Sequence, residues 1–106
     1  MAGFTVGADQ VGCRAWVNFN GGGTVAIRDD YNISSVGDNG VGDYSAYIDV
    51  DMATTTYAAI AGGRWDDVRA GTYYGYQYVG ECRMQYTNTS GAAIDSDSCT
   101  LVIFGN

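Results

Sequence analysis

Carboxylates dominate the reactive side chains of this chain. Asp49 and Asp51, like Asp95 and Asp97, stand two residues apart, so in an extended strand each pair would share a face. Asp29-Asp30 and Asp66-Asp67 are adjacent pairs in turn-like segments. Such oxygen clusters suit Ca²⁺, but no stretch has the D-x-[DN]-x-[DN]-G spacing of a calcium loop. Asp also caps turns and keeps a sheet face soluble, so no metal site is expected. Glu81 is the sole glutamate. Acid–base hydrolysis of sugars needs a second carboxylate across a cleft, and an ion pair with Arg14 or Arg83 is the simpler expectation. Cys13, Cys82 and Cys99 are an odd set with no C-x-x-C spacing. Cys13 is expected to be a packed thiol, and a Cys82–Cys99 bridge stays open alongside free thiols. No catalytic residue and no cofactor are expected.

The aromatic residues carry more. Tyr73-Tyr74-Gly75-Tyr76-Gln77-Tyr78 would put Tyr74, Tyr76 and Tyr78 on one strand face and Tyr73 on the other. A tyrosine ring is apolar at its body and polar at its tip, which suits sugars and partner surfaces; the same residues also serve simply to fill a strand and a thin core. Arg64 and Trp65, in a polar and non-periodic segment, are a second contact candidate, because Trp and Arg are enriched in binding hot spots. The sequons at Asn32 and Asn88 are short enough to occur by chance, and no secretory signal accompanies them.

The elements that must position these groups are strands. Cys13, Ala15, Val17 and Phe19 alternate with Arg14, Trp16 and Asn18, a period of two. Asn20-Gly21-Gly22-Gly23 makes a hairpin turn, and Thr24–Arg28 returns with Val25 and Ile27 inward. Asp29-Asp30 is expected to turn and Tyr31–Val36 to form a third strand. The Asn39-Gly40 turn leads into Asp43–Asp51, where Tyr44, Ala46, Ile48 and Val50 share one face. Further strands are expected over 56–61, in one or two pieces over 73–86, and over 99–104. The last of these is apolar on both faces, so Leu101, Ile103 and Phe104 are candidates for an interface between copies. The expected fold is all-β, without substantial helix: a single antiparallel, jelly-roll-like β-sandwich of about six to eight short strands over 13–106, preceded by a short arm over 1–12.

Composition narrows the function. The 106 residues include 12 acids against five bases, all Arg, for a formal charge of −7. Such a chain repels phosphate backbones, so nucleic acid is not an expected partner. The chain has no His, which removes the Ser-His-Asp relay and every His-bearing zinc site. No apolar run approaches the ~20 residues of a membrane span. The 16 Gly and nine Tyr fit short strands and tight turns.

The stretch Cys13-Arg14-Ala15-Trp16-Val17-Asn18-Phe19-Asn20-Gly21, then Gly23-Thr24-Val25-Ala26-Ile27-Arg28, Tyr31-Asn32-Ile33-Ser34-Ser35-Val36 and Asp38-Asn39-Gly40-Val41-Gly42-Asp43-Tyr44, resembles a small β-rich module of tailed bacteriophages, the tail-fibre domain. The firm match covers a little under a third of the chain; beyond it only the outline persists. The resemblance implies a virion structural protein on the particle surface, made in the host cytoplasm, and a homotrimer that touches the host surface; it brings no catalytic residue. No heptad or collagen-like repeat is present to build a shaft. The role the resemblance implies first is attachment to a host polysaccharide, and without a shaft the module would plug into another virion protein through its arm or decorate a larger surface such as the capsid. The alternative is a capsid decoration (cement) protein, and a remote third is a small glycan-cleaving enzyme.

Overall fold

Alternation of apolar and polar residues decides which face of each strand turns inward, and the turns decide which strands become neighbours. The structure, a computed structural model, describes residues 4–6, 9–63 and 68–105. Within these residues ten strands run in chain order: β1 (Phe4–Val6), β2 (Asp9–Val11), β3 (Cys13–Asn20), β4 (Ala26–Tyr31), β5 (Ile33–Gly40), β6 (Asp43–Ile48), β7 (Ala58–Gly63), β8 (Arg69–Tyr78), β9 (Glu81–Thr87) and β10 (Cys99–Phe104). Eight of them form two four-stranded antiparallel sheets, ordered β4-β3-β10-β7 and β5-β6-β9-β8. The two sheets pack as the expected β-sandwich. The eight sandwich strands agree with the expected six to eight, and before them β1 pairs with β2. The hairpins β3-β4, β5-β6 and β8-β9 each stay within one sheet, and the other four connections from β3 to β10 cross between sheets.

The core lies between the sheets. Ala15, Val17 and Phe19 of β3 and Cys99, Leu101 and Ile103 of β10 face Tyr44, Ala46 and Ile48 of β6 and Cys82, Met84 and Tyr86 of β9. Phe19, Tyr44 and Tyr86 stack edge to face at 5.3 and 5.8 Å. Buried tyrosines must spend their hydroxyls on hydrogen bonds. The single Tyr44 hydroxyl proton is shared between two acceptors, the Gly21 carbonyl and Asp95 Oδ1, each at 2.9 Å. Tyr86 reaches across to the Gly62 carbonyl of β7 at 2.6 Å, and Tyr57 donates to the Tyr78 carbonyl at 2.7 Å. Each ties one sheet to a segment of the other or to a connecting turn.

Three expectations change here. Asp29 and Asp30 do not turn but continue β4. Pairing skips Arg28, a bulge opposite the Asn18–Phe19 step, and the charged residues Arg28, Asp29 and Asp30 mark β4 as a sheet edge. The chain turns instead at Asn32, with φ of 58°, a conformation that Asn tolerates. The strand expected to run from Asp43 to Asp51 stops at Ile48, and Val50 is exposed instead of facing the core. Leu101 and Ile103 are fully buried within the single chain. Because β10 is central in its sheet and alternates, these residues fill the sandwich and only Phe104 of the expected interface trio is exposed, at 41%.

Candidate functional site

The tyrosine run lies on β8, an edge strand whose pairing with β9 breaks in the middle. Thr72 pairs with Met84 and Gln77 with Cys82. The four residues Tyr73–Tyr76 therefore lie opposite Arg83 alone, a wide bulge centred on Gly75 at φ of 83°. A residue with a Cβ rarely adopts that backbone, and glycine does so freely. The bulge resets the alternation, so Tyr73 joins Tyr76 and Tyr78 on the outer face instead of pointing away from them. Ring centroids are 5.9 Å apart for Tyr73–Tyr76 and 6.4 Å for Tyr76–Tyr78, both edge to face. The side chain of Tyr74, and Arg64 and Trp65 altogether, lie outside the described residues.

Arg83 holds this row in place. Its guanidinium carbon lies 4.9 Å from the Tyr73 ring centre and 4.7 Å from that of Tyr76, within cation–π range. Its Nε and Nη2 donate to Oδ1 and Oδ2 of Asp43 on β6, at 2.8 and 2.6 Å, the two-pronged geometry that arginine offers a carboxylate. This is the partner of Arg83, in place of the expected Glu81. Asn39 in turn donates to Ser45 Oγ at 2.8 Å and to Asp43 Oδ1 at 3.4 Å. The Arg83 hydrogen bonds hold the Asp43 carboxyl below its usual range and push the guanidinium further up. Burial raises the Tyr73 hydroxyl.

A groove of about 550 Å³ opens beside the row, within the roughly 300–1,000 Å³ of small-molecule sites. Its lining is Thr55, Thr56, Thr72, Tyr73, Gly75 and Gln77. Gln77 Nε2 donates to the Thr55 carbonyl at 3.0 Å and to that of Tyr57, which fixes one wall against the other. The combination offers aromatic rings, hydroxyls and an amide on a braced surface, with its one cation already neutralised. That chemistry suits contact with uncharged polar surfaces such as sugars. The structure brings together Tyr73, Tyr76 and Tyr78 of the expected contact set and adds Asp43, Asn39, Gln77 and the Thr55–Thr56 wall, which the sequence did not single out. No local spacing links those residues; only strand pairing brings them together.

The outer face of the other sheet is different in kind. Register places Tyr31 beside Trp16, Trp16 beside Val102, and Val102 beside Ile60, a row that is apolar along its length, with Ile60 62% exposed. Phe104 pairs with Ala58 at the end of the same face.

The cysteines are free, with Cys82 and Cys99 buried in opposite sheets. The bridge left open by the sequence is not formed. Burial pushes the Cys82 thiol up to about 11 and raises that of Cys99. Asp95 and Asp97 lie in the loop before β10, not on a strand, and Asp95 accepts hydrogen bonds from Gly42 N and the Tyr44 hydroxyl. Among the described residues no three His, Cys, Asp or Glu side chains gather into a metal-binding group. The chain matches no protein-family model, no curated protein and no solved structure.

Proposed function

We propose that this chain is a virion-surface protein of a tailed bacteriophage, a homotrimeric module of tail-fibre type that attaches the particle to a host polysaccharide and converts no substrate. The resemblance over residues 13–44 supplies the phage context. The observation that carries the contact is the Tyr73–Tyr76–Tyr78 row braced by Arg83 and Asp43 beside a hydroxyl-lined groove. Rings held by a cation and by one another lose little freedom when a sugar stacks on them, and preorganisation of that kind favours binding. Copies would meet through Ile60, Val102 and Phe104, where apolar area buried between subunits adds to a small core.

Immobilised surface polysaccharide from susceptible cells tests this. The purified protein should bind, and Tyr76→Ala and Tyr78→Ala should each weaken binding at least tenfold with the folding transition intact. Unchanged binding in both variants would overturn the assignment of the site.

A second reading has its own support. The flat apolar row Ile60–Val102–Trp16 suits a protein partner better than a sugar, as a capsid decoration protein requires. Such a protein would ignore polysaccharide, number hundreds of copies per particle by quantitative mass spectrometry, and raise the temperature at which heads burst.

A further inference from the structure

A second cleft is built where the chain changes sheets, at the corner between β4 and β5. Asn32 occupies that corner and ties three segments together. Its Nδ2 donates to the Arg14 carbonyl of β3 at 3.2 Å and to the Val50 carbonyl at 3.0 Å, while its Oδ1 accepts from Val50 N at 2.7 Å. The Asp49 amide donates to the Asn32 carbonyl at 3.0 Å. Around this knot lies a space of about 370 Å³ lined by Arg14, Tyr31, Asn32, Asp49 and Val50, at the small end of the roughly 300–1,000 Å³ of ligand pockets.

The Asn32 amide is spent on this knot, but the two charged groups of the cleft are not. The Arg14 guanidinium and the Asp49 carboxylate line one space, yet neither has a hydrogen-bond or ion-pair partner among the described residues. Arg83, by contrast, is committed to Asp43, and Arg28 to Asn18 and the Asp97 carbonyl. Tyr31, half exposed, and Val50 supply an apolar wall.

We propose that this cleft binds a single neutral pyranose residue. A vicinal diol can accept from the guanidinium and donate to the carboxylate at once, satisfying both groups without adding charge. The C–H face of the ring can pack on Tyr31. An anionic ligand would meet Asp49 and a chain of net charge −7. The site shares no residue with the tyrosine row, so it stands or falls on its own.

The test is a titration of the ¹⁵N-labelled protein with methyl glucoside, methyl galactoside and methyl mannoside, with sodium glucuronate as the anionic probe and glycine as the zwitterionic one. A neutral glycoside should shift the Arg14, Asn32 and Asp49 amides saturably, with a Kd on the order of 1 mM, a weak affinity of about −4 kcal/mol. Arg14→Ala and Asp49→Ala should each raise Kd at least tenfold while distant amides keep their positions, because neither side chain braces the fold. Tyr76→Ala should leave this binding unchanged, so failure of the tyrosine site and failure of the cleft are distinguishable. Saturation by glucuronate or glycine alone, or by none of the probes, would overturn the proposal, as would wild-type affinity in both cleft variants.

Discussion

Asn32 is the residue on which the change of sheet depends, and replacing it separates backbone strain from hydrogen bonding. Asn32→Gly keeps the left-handed backbone at φ of 58° but removes the three side-chain bonds to Arg14 and Val50. Partly exposed bonds of this kind sit at the low end of about 0.5–1.5 kcal/mol each, so their loss costs about 2 kcal/mol. Asn32→Ala loses the same bonds and adds roughly 1–2 kcal/mol for an unsuited left-handed residue. Glycine's greater freedom in the unfolded chain offsets about 0.4–1 kcal/mol of that difference. Alanine should therefore be the less stable of the two by about 0.5–1 kcal/mol, glycine falling about 2.5–3 and alanine about 3–4 kcal/mol below the parent. Urea unfolding at neutral pH, with a slope of about 1 kcal/mol/M for a chain this small, would show midpoints about 2.5–3 M below the parent for glycine and about 3–4 M for alanine. In thermal melts each kcal/mol is worth roughly 4–8 °C. An alanine variant as stable as the glycine variant would refute the strain argument. Two variants with the parent's midpoint would refute the whole account of the corner.

Further predictions concern titration and the placement of charge. Cys82, raised by burial from an ordinary value near 9 to about 11, supports the folded state fully below pH 9 and withdraws that support as pH climbs through 11; Cys99, Tyr44, Tyr57 and Tyr86 shift in the same direction. Stability should thus fall between pH 9 and 11, and Cys82 and Cys99 should resist a thiol reagent at pH 8 until urea unfolds the chain; rapid reaction of both in the native protein would contradict their burial. Asp43 works the other way: its carboxyl is lowered by Arg83, so its contribution is present above the usual value of 3.8 and lost as pH drops through the lower folded value. Leu101→Asp puts a carboxylate where no solvent reaches, at a cost of several kcal/mol against a total of about 5–15 kcal/mol, and should unfold the chain. Phe104→Asp and Ile60→Asp, on the outer face, should keep the strand circular-dichroism spectrum and, if copies meet there as proposed, lower the mass read by light scattering; a folded Leu101→Asp protein would contradict the burial of β10.

The contrast between Leu101 and Phe104 also shows what was readable from residue order. Alternation from Cys13 to Phe19 and from Tyr44 to Ile48 marked inward faces correctly, because both strands are central and each residue's neighbours are fixed on two sides. The same rule applied to 99–104 gave a strand but not its depth, since an apolar residue on both faces fits a core and an interface equally well. It failed at edges, where one side is unpaired and an extra residue can be absorbed. Arg28 is skipped in β4, and four residues of β8 face one of β9; each bulge shifts the side-chain alternation of the residues beyond it, which is why Tyr73 ends on the face of Tyr76. Asn32 carries a legible signal, as asparagine is among the few residues with a side chain that accept a left-handed backbone. Its three bonds to segments 18 residues away in either direction are not legible at all. Both candidate surfaces arise at such irregular places: the tyrosine row at a bulge, the Arg14–Asp49 cleft at a corner. A regular ladder buries its polar backbone and presents side chains at fixed intervals. Only where pairing is interrupted does the chain bring residues from several strands to one point, and there a sandwich of this size gains the concavity that recognition needs.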